Sequence, residues 1–514
     1  MQFTPPPDLL PLLRQLTALA KQRGIRAYVV GGSVRDVLLA RPMHDLDIAV
    51  DRDAFAFARV AATHLDGDFF ELDDDHVVGR IKLRTASVVR HIDVAQLQGT
   101  LEQDLQRRDF TIDALAISLD GGAIIDVCGG IADLNAGVVR MTGAHVFDAD
   151  SLRLLRGPRI AAELGFALDP ETEVAISAHA LDLRTSAGER QRDELARLFE
   201  LEDAYGAMRL LDRVGLLDAL LPELTAGRGI EQPNEHAYDV FEHGMHALAA
   251  MDVMLSEQRP REHGWMWDTL WQLFEWYPLR RYLREEFAEG RSRASILRLA
   301  ALLHDIAKPQ TKTLDPNGRT HFFGHADMGA DIAARVMRRL RFSTREVRFV
   351  SLLVAAHLRP GQLAAIGEAP TRRALYRFFR DLDDAAPALL LLALADAASA
   401  RGSRMTSEGW AGLVGYMNNL LVRSHEEEGI VNAPRLLTGH DIMSSFNVPE
   451  GRRVGMILEA LREAQGAGEV ADRDEAIAFV EDIVRDANPG SVETIETAPP
   501  NDRLARDAGD STEL

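Results

Sequence analysis

Two aspartates placed two residues apart are the first group in this sequence that could do chemistry. Asp45 and Asp47 lie in the strand-like run HDLDIA. Side chains at positions i and i+2 leave a strand on the same face, so both carboxylates should project together. Carboxylate oxygens are ligands that Mg²⁺ accepts. The spacing therefore predicts a magnesium site.

A Gly-Gly-Ser turn precedes these aspartates, between an apolar strand that begins at Ala27 and an amphipathic helix. Gly31 and Gly32 let backbone N–H groups approach a ligand closely. Ser33 is predicted to cap the helix N-terminus, where the positive end of the helix favours an anion such as phosphate. Each signal alone is more often a tight turn or a solvated strand edge. Together, in one small α/β unit, they indicate nucleotidyl chemistry.

Charged side chains downstream could complete such a site. Asp93 lies in the strand-like run HIDVA and could face the first two carboxylates across a sheet, unless it is an exposed strand residue. Arg107, Arg108 and Asp109 stand just before an apolar run. A guanidinium offers forked, permanently charged donors that suit triphosphate oxygens, although such a run is usually a surface pair. The sequence thus predicts a third acid and a phosphate contact near the paired aspartates.

A helix predicted from Asp150 onward, over SLRLLRGPRIAAELGF, carries arginines every three residues. This spacing brings Asp150, Arg153 and Arg156 to neighbouring positions on one helical face. Arginines at helical spacing are normally solvated. The alternative is that this face presents donors and acceptors to the edge of a base.

Composition limits the class of protein. The chain has 514 residues, enough for several domains with large buried cores. Its formal net charge of -21 argues against wholesale coating by nucleic acid, so an RNA partner must meet a local basic patch. The single cysteine, Cys128, excludes an internal disulfide framework and fits a reducing cytosol. The start lacks a basic leader region and no run of about 18 apolar residues occurs, so we expect a cytoplasmic protein without membrane contact.

The order of elements predicts an α+β fold. Helices are predicted over 8–23 and 55–65, and strands over 69–72, 77–84 and 87–97. This alternation indicates a mixed sheet backed by helices. Further helices are predicted after the sheet.

Four motifs, GGSVRDVLL, HDLDIA, RRDFTIDALA and DSLRLLR, occur in this order. With them the chain resembles the bacterial class II tRNA nucleotidyltransferases, the group of CCA-adding enzymes and poly(A) polymerases, over about residues 25–485. The resemblance implies a nucleotidyltransferase palm domain with a mixed sheet, followed by all-α neck, HD and C-terminal helical domains. The implied domains are a head at 1–140, a neck with the base-selecting helix at 141–225, an HD phosphohydrolase-like domain at 236–410, a C-terminal helical RNA-binding region at 430–485 and a disordered tail at 486–514.

The resemblance also implies a role for each motif residue. The roles are triphosphate binding by Gly31, Gly32, Ser33 and Arg35, catalysis and metal binding by Asp45 and Asp47 with Asp93 as a third acid, ribose and phosphate contacts by Arg108 and Asp109, and base selection by Asp150, Arg153 and Arg156. The implied partners are a tRNA 3′ end and CTP or ATP. The 3′-hydroxyl would attack the α-phosphate in line and release pyrophosphate, with two Mg²⁺ ions at the attacking and leaving oxygens. Protein side chains, without a nucleic-acid template, would select C or A.

Three departures from the family pattern concern which nucleotide is added. Ala149 stands where the base-selecting motif usually has Glu, which removes a carboxylate that would support Arg153. Asp113 occupies a position that is commonly Asn. Only 13 residues separate Asp93 from Arg107, which is similar to members that add two cytidines and no adenosine. The products CCA, CC alone, A alone and poly(A) all stay open, since ordinary trimming of a loop would also explain the short connection.

A second set of side chains has the residue types of a metal centre. The adjacent pair His304 and Asp305, with a distant histidine before and an aspartate after, follows the ligand order of HD-domain phosphohydrolases, which this segment resembles. Imidazole and carboxylate ligands together suit Mn²⁺, Ni²⁺ or Fe²⁺. The resemblance implies metal ligands at His243, His304, Asp305 and Asp396, and a second metal or a phosphate at His325, His357 and Lys308. Whether this domain hydrolyses phosphodiesters or phosphate monoesters, or only forms part of the body, stays open.

Three other functions stay open besides nucleotide addition to tRNA. The first is a poly(A) polymerase, and the second is an HD phosphohydrolase whose nucleotidyltransferase domain has become an RNA-binding scaffold. The third is a non-catalytic RNA-binding protein. Asp45 and Asp47 argue against the second alternative, because an inactive domain has no reason to keep two repelling carboxylates together. The third alternative predicts tRNA binding without release of pyrophosphate.

Two further features have no assigned role, and no oligomeric state is predicted. The tryptophans at 265, 267, 271 and 276 are predicted to pack against the HD helices, with base stacking or a subunit contact as the alternative. Arginine runs at 335–348 and 372–380 are either solvated helix faces or contacts to the tRNA backbone.

Overall fold

The computed structural model describes residues 4–43, 45–73, 77–84, 89–233, 236–288, 290–365, 370–426 and 434–486. The predicted tail, 486–514, lies outside these ranges except for residue 486, which ends the last helix. The described residues form two compact units: one within Met1–Pro360 and Pro387–Gly415, the other within Gly361–Ala386 and Tyr416–Leu514. Residues 361–386 thus belong with the C-terminal helices, whereas the predicted boundaries include them in the segment 236–410. The α+β class is confirmed, and the domain boundaries stay a prediction.

A mixed sheet forms the N-terminal part of the first unit. Its seven strands in the described residues are β1 (Ala27–Val30), β2 (Asp45–Val50), β3 (Gly67–Asp73), β4 (Val78–Leu83), β5 (His91–Gln96), β6 (Leu115–Ser118) and β7 (Ile125–Asp126), in the order β3-β4-β5-β2-β1-β6-β7. β2 and β5 are parallel, and the other neighbours are antiparallel. The helices of this part are α1 (Leu10–Gln22), α2 (Gly32–Leu38), α3 (Ala54–His64), α4 (Leu101–Gln106) and α5 (Gly130–Ala136).

The alternation of residues along β2 decides which side chains face the core. Leu46 and Ile48 are fully buried. Because successive side chains of a strand point to opposite faces, Asp45 and Asp47 share the other face of the sheet. Because Leu46 and Ile48 pack into the core, Asp45 and Asp47 lie on the face of β2 that points away from it.

A helical neck follows the sheet. Its elements are β8 (Val138–Val139), α6 (Val146–Ala149), α7 (Arg153–Leu164), β9 (Ala167–Leu168), α8 (Pro170–His179), α9 (Gly188–Glu200), α10 (Ala204–Arg213), α11 (Leu216–Leu220) and α12 (Pro222–Thr225). The sequence placed Asp150 on the same helix as Arg153, which is wrong. Asp150 has an extended backbone that ends α6, and α7 begins only at Arg153.

The rest of the chain is mostly helical. Its elements are α13 (Val240–Leu255), α14 (Gly264–Leu273), α15 (Leu279–Arg284), β10 (Glu286–Ala288), β11 (Arg291–Ser292), α16 (Arg293–Leu303), α17 (Lys308–Thr311), β12 (Thr313–Leu314), β13 (Thr320–His321), α18 (His325–Arg339), α19 (Thr344–Ala356), α20 (Arg359–Ala365), α21 (Arg372–Leu382), α22 (Ala386–Arg401), α23 (Ser407–Glu426), α24 (Gly439–Phe446), α25 (Arg452–Gly466) and α26 (Arg473–Asp486).

The tryptophans at 265, 267 and 271 are half-buried and make packing contacts within the first unit, whereas Trp276 is 41% exposed. The Trp267 indole N–H donates to the Ser256 carbonyl (3.0 Å). Trp265 meets Trp410 edge to face, with ring centroids 6.4 Å apart. Trp271 lies under the Arg280 guanidinium, 4.0 Å from its ring centroid. These contacts favour packing over base stacking.

Ion pairs occupy much of the second arginine run. Within the second unit, Arg377 bonds Glu463 through two contacts (2.8 and 2.6 Å), and Arg373 bonds Glu469 (2.8 Å). Arg380 on the same helix, α21, also bonds Glu463 (3.2 Å). Glu463 on α25 and Glu469 just after it thus neutralise part of the positive charge that was a candidate contact for the tRNA backbone.

One stretch, Arg372–Arg404, is long and apolar enough to pass a length-and-composition test for a membrane span, with a mean hydropathy of 1.3. It comprises the separate helices α21 and α22, and 72% of its most apolar window is buried in the protein. Burial of core residues accounts for this composition.

Candidate active site and metal centre

The paired aspartates lie on β2, beside a third carboxylate on β5. In the parallel register Asp47 is opposite Asp93. Asp45 is opposite His91, whose Nδ1 lies 3.1 Å from an Asp45 carboxylate oxygen. The structure therefore brings together the three acids that the sequence singles out, and their catalytic roles stay a prediction.

Ser33 does not cap α2 as the sequence predicted. The helix has Gly31 at its N-cap position, and no side chain caps it. The Ser33 hydroxyl instead accepts a hydrogen bond from the backbone N–H of Asp47 (2.8 Å) and donates one to the Asp45 carbonyl (3.3 Å). Ser33 thus holds the glycine turn against the paired aspartates.

The charge balance at β2 suits a cation. Burial and then the negative charge of Asp93 raise the pKa of Asp47 to about 6, against the opposing effect of Arg108 and Arg156. A carboxylate whose charge is disfavoured in this way gains from a bound divalent ion. Asp45 and Asp47 offer only oxygen ligands, which select hard cations such as Mg²⁺. The residues present therefore fit a divalent metal.

Arg80 is a site residue that the sequence did not reveal. Its guanidinium makes two hydrogen bonds of 2.8 Å to the two carboxylate oxygens of Asp93. The pairing follows from the antiparallel register of β4 and β5, which sets Arg80 opposite Asp93. Asp93 thus has a fixed orientation, and Arg80 pairs with the carboxylate that was predicted as a third acid.

Gly31 matters because an arginine lies against it. Gly31 has a φ of 67°, and a Cβ at this position would lie 2.7 Å from Nη1 of Arg108. The Gly31 N–H itself donates to the Leu115 carbonyl (3.0 Å). The glycine therefore leaves room for the Arg108 guanidinium at the turn, where the sequence predicts a phosphate contact.

Arg35 is buried and paired with two carboxylates. Its guanidinium donates to Asp113 (2.7 Å) and Asp36 (2.9 Å). Burial alone would lower the pKa of Arg35, but the two carboxylates raise it above its usual range. This placement favours a role in supporting the turn over the predicted contact with triphosphate. The departure from the family at Asp113 thus gives Arg35 a charged partner.

Replacing Asp113 with alanine should lower the free energy of unfolding by about 3 kcal/mol, because the change leaves a buried guanidinium with half its partners. Asp113→Asn keeps a hydrogen-bond acceptor and should cost only about 1 kcal/mol. Urea unfolding followed by circular dichroism measures both. Asp120→Ala, which removes an exposed partner of Lys21, is the control and should change little. An Asp113→Ala protein as stable as wild type would contradict the importance of the pair.

Asp109 and Arg156 form a pair close to the three acids. Nε of Arg156 lies 3.0 Å from an Asp109 carboxylate oxygen. Burial opposes ionisation of Asp109, but Arg156, Arg153 and the Phe110 N–H hold its pKa below the usual range. Asp109 is therefore an anion that orients Arg156.

The predicted base-selecting residues are each fixed by a partner that the sequence did not reveal. Arg190, on α9, donates to both carboxylate oxygens of Asp150 (3.2 and 2.6 Å). Arg153 donates to the backbone carbonyls of Arg107 and Val146 (both 3.2 Å). These carbonyls replace the support that Ala149 cannot give. Asp150 and Arg190 line an open cavity of about 530 Å³.

The HD residues converge in one cluster, in which His243, His304 and Asp305 are buried and Asp396 is half-buried. Nε2 of His243 lies 3.1 Å from Nε2 of His304 and 3.1 Å from Oδ1 of Asp396. Oδ2 of Asp305 lies 3.2 Å from Nε2 of His243 and 3.3 Å from Nε2 of His304. Four side chains from α13, α22 and the end of α16 thus direct ligand atoms at one point, which fits a metal ion.

The charges in this cluster also fit a cation. Burial alone would lower the pKa of His304, but the Asp305 and Asp396 carboxylates raise it to about 10. Burial opposes ionisation of Asp305, yet Lys308 and His304 hold its pKa well below the usual range. In the metal-free protein the proton on His304 therefore provides a positive charge that a divalent ion would supply.

Neighbours that sequence reasoning missed orient these ligands. Ser399 lies 3.0 Å from Nδ1 of His243. Lys308, the predicted phosphate contact, has its ammonium 2.5 Å from Oδ2 of Asp305 and donates to Gln232 (2.6 Å). The ring of His236 lies 5.3 Å from that of His243. Ser399, Gln232 and His236 have no motif that would identify them in the sequence, whereas Lys308 was predicted from its position just after His304 and Asp305.

Models of three protein families match the chain. They are the Poly A polymerase head domain over residues 27–140, the "Probable RNA and SrmB-binding site of polymerase A" over residues 165–227, and the HD domain over residues 279–401. The fold and the sites thus define a nucleotidyltransferase head followed by an HD domain. Both domain types indicate the use of divalent metal ions.

Relatives along nearly the whole chain specify the family. The chain is 36% identical over 471 residues to the A-adding tRNA nucleotidyltransferase of Deinococcus radiodurans, covering 90% of this chain and 97% of the relative. It is also 36% identical to the CC-adding tRNA nucleotidyltransferase of Thermus thermophilus, covering 88% and 93%. The protein belongs to the tRNA nucleotidyltransferase family.

Solved structures agree on the fold. The Thermotoga maritima CCA-adding enzyme complexed with tRNA-CCA matches with a TM-score of 0.55 at 20% identity, covering 94% of this chain and 97% of that one. A CCA-adding enzyme complexed with CTP matches with a TM-score of 0.59 at 20% identity, covering 93% and 96%. The nucleotidyltransferase interpretation of the sequence is confirmed at the level of the family.

Proposed function

We propose that this enzyme adds nucleotides from CTP or ATP to the 3′ end of tRNA, and that within this class it adds the two cytidines and no adenosine. The observation that carries the narrower proposal is the connection between β5, which ends at Gln96, and α4, which begins at Leu101. Thr100 and Gln103 form a capping box that fixes the end of this connection. Residues 97–100 form this connection. Four residues are too few to rearrange a base-binding pocket between the addition of C and the addition of A.

The residues around β2 would perform the transfer. The RNA 3′-hydroxyl would attack the α-phosphorus and lose its proton to solvent, the bond from phosphorus to the β-phosphate oxygen would break, and pyrophosphate would leave. Asp45 and Asp47 would hold divalent cations, which would stabilise the attacking and leaving oxygens. Arg108, at the glycine turn, would meet the triphosphate charge.

An acceptor beside a donor would select the base. The Asp150 carboxylate accepts hydrogen bonds, and the Arg153 guanidinium donates them. Cytosine and adenine each present an amino group next to a ring nitrogen acceptor, whereas uracil and guanine present a carbonyl next to an N–H. This pair therefore admits C and A and rejects U and G. Similarity to relatives does not separate C from A, since the A-adding and CC-adding relatives are both 36% identical.

Sequencing of tRNA ends tests the proposal. Transcripts that lack all three terminal nucleotides, and transcripts that end in CC, are incubated with CTP alone, ATP alone or both. We expect two cytidines on the first transcript whenever CTP is present, and no change of the second. An adenosine added after CC would contradict C-only addition. Long adenosine tails on unrelated RNA would indicate a poly(A) polymerase.

A second proposed activity is metal-dependent hydrolysis of a phosphate ester at the HD cluster. It is supported by the buried side chains of His243, His304 and Asp305, which could hold a metal ion, and by the half-buried Asp396 beside them. Water would attack phosphorus, the bond to the ester oxygen would break, and that oxygen would take up a proton. Release of p-nitrophenol from its phosphate monoester and diester, with Mn²⁺ or Ni²⁺ and then with a chelator, tests this activity. Hydrolysis unaffected by the chelator, or none with either ester, would contradict it.

A further inference from the structure

A row of side chains crosses the sheet from the paired aspartates toward one of its edges. Asp47 is opposite Asp93 on β5. Asp93 is opposite Arg80 on β4, and Arg80 is opposite Phe70 on β3. Side chains directly opposite each other on neighbouring strands share a face of the sheet. The row therefore presents two carboxylates, a guanidinium and an aromatic ring in this order, and ends on β3, the last strand on this side of the described sheet.

β4 carries a second cation on the same face. Lys82 lies two residues from Arg80 along the strand, so the two side chains point the same way. Lys82 is exposed, and Asp68, which is opposite it on β3, is bonded by Arg84 (3.1 Å). The bonds of Arg80 to Asp93 use Nε and Nη2, and Nη1 offers further N–H donors. This part of β4 can therefore bind an anion.

The predicted triphosphate contacts lie on the other side of β2. Arg108 lies against Gly31, which directly follows β1. β1 and β5 flank β2 on opposite sides. In phosphoryl transfer the attacking and leaving oxygens lie roughly in line through the phosphorus. Pyrophosphate that leaves on the side of β1 thus requires a 3′-hydroxyl that arrives from the side of β5 and β4.

The side chains of the row fit the end of a single RNA strand. Cationic side chains bind phosphates, and exposed aromatic rings stack on unpaired bases. Phe70 is 49% exposed. Neighbouring strands are about 4.8 Å apart, so Arg80 lies about 10 Å and Phe70 about 14 Å from Asp47 across the sheet. An RNA strand whose 3′ end reaches Asp47 therefore meets the cations first and the aromatic ring after them.

We propose that β4 and β3 bind the unpaired 3′ end of the acceptor RNA, with phosphates at Arg80 and Lys82 and a base stacked on Phe70. This inference rests on the proposed transfer to a tRNA end and adds the surface that presents the hydroxyl. The surface lies outside residues 165–227, which match the RNA-binding family model.

Steady-state kinetics of the full-length enzyme test this surface. CTP incorporation is measured at saturating CTP while the concentration of tRNA lacking its three terminal nucleotides is varied, and then at saturating tRNA with CTP varied. The variants are Phe70→Ala, Phe70→Trp and Lys82→Ala. Leu72→Ala is the matched control, because Leu72 lies on the same strand and is also 49% exposed but has no aromatic ring.

We expect Phe70→Ala to raise the KM for tRNA about tenfold because stacking on one base is lost, while kcat and the KM for CTP stay within about twofold of wild type. Phe70→Trp keeps an aromatic ring and should behave like the wild type, as should Leu72→Ala. Lys82→Ala should weaken tRNA binding and lower the slope of log affinity against log salt concentration by about 1.

Three kinetic results would overturn the proposal. The first is an unchanged KM for tRNA in Phe70→Ala, and the second is an equal rise in Leu72→Ala. The third is loss of self-association in Phe70→Ala, measured by size-exclusion chromatography, without loss of tRNA affinity. That result would assign the edge of β3 to a second copy of the chain.

Crosslinking of the wild type makes the test independent of the folding of any variant. A tRNA with 5-iodouridine at one of its last two positions should crosslink on irradiation to the β3 peptide that contains Phe70. A crosslink confined to other segments would overturn the proposal. A wild type that extends no tRNA would contradict the proposed function, and the crosslink would still decide the surface.

Discussion

Asp47→Asn should abolish nucleotide addition to tRNA and leave the metal-free fold at least as stable as the wild type. The amide keeps the shape of the side chain but removes the charge that would hold a cation. Loss of metal-ion stabilisation of roughly 4 kcal/mol corresponds to about a thousandfold lower rate. Incorporation of labelled CTP into tRNA lacking its 3′ end measures the effect. Asp51→Asn, just beyond the same strand and paired with Arg26, is the control and should retain activity.

The stability of this variant follows from the pKa of Asp47. The folded protein raises that pKa to about 6, so it binds the Asp47 proton more tightly than the unfolded chain does. The raised pKa therefore lowers the free energy of unfolding of the metal-free protein. This loss is absent below about pH 4, grows as the pH rises, and is complete above about pH 6. Asparagine carries no such penalty. With chelator at pH 8, Asp47→Asn should unfold at equal or higher urea concentration than wild type, and at pH 4 the advantage should vanish. Retained activity, or a variant that is inactive only because it is unfolded, would refute this account.

Asp305→Asn should empty the HD cluster of metal and abolish phosphate-ester hydrolysis while nucleotide addition stays within about twofold of wild type. Asp305 is 3% exposed and offers an oxygen to each predicted metal position. Asparagine cannot provide two anionic oxygens. The reaction at β2 uses none of these atoms, so the two activities should separate. Metal content, ester hydrolysis and CTP incorporation are measured on one preparation.

Asp331→Asn is the matched control for this prediction. Asp331 lies exposed on α18, the helix that begins with His325. Its replacement should leave metal content and both activities unchanged. Full metal content in Asp305→Asn would show that the cluster does not use this carboxylate. Loss of nucleotide addition together with hydrolysis, in a folded variant, would show that the two sites depend on each other.

The sequence predicted which acids would meet, because strand periodicity is local. Asp45 and Asp47 share a face of β2 as expected, and Asp93 lies opposite Asp47 in the register. The partner of Asp93 could not be predicted, since Arg80 reaches it only through the pairing of β4 with β5. Ser33 was assigned to a helix cap on its residue type. Its hydroxyl instead binds the backbone of β2, a contact between distant residues that local reasoning misses.

The base-selecting region shows the same limit. Helical spacing suggested one face for Asp150 and Arg153, but a turn separates them, and each is held by a distant group. Asp150 is held by Arg190, 40 residues away, and Arg153 by the Arg107 carbonyl. The sequence therefore predicted which residues belong to this site, but not the groups that hold them in position.

For the HD cluster, the order of residues along the chain predicted the candidate ligands. For His325 and His357 it left two ligands open, a metal ion and a phosphate. Whether His325 and His357 would meet a metal or a phosphate depends on which nitrogen is protonated. Only the contacts of Nδ1 with the carbonyls of Phe322 and Val354 reveal this. Both carbonyls are three residues upstream of their histidines, but their approach depends on how α18 begins and how α19 ends.

The most direct test of the central claim is the count of pyrophosphate released against nucleotides added. The wild-type enzyme is given CTP, Mg²⁺ and tRNA lacking its three terminal nucleotides, alongside the same tRNA with its 3′ end oxidised so that no hydroxyl can attack. One pyrophosphate should appear for each cytidine added, up to two per tRNA, and none with the oxidised tRNA. Pyrophosphate release that does not depend on the 3′-hydroxyl, or no release and no extension, would contradict nucleotidyl transfer to tRNA.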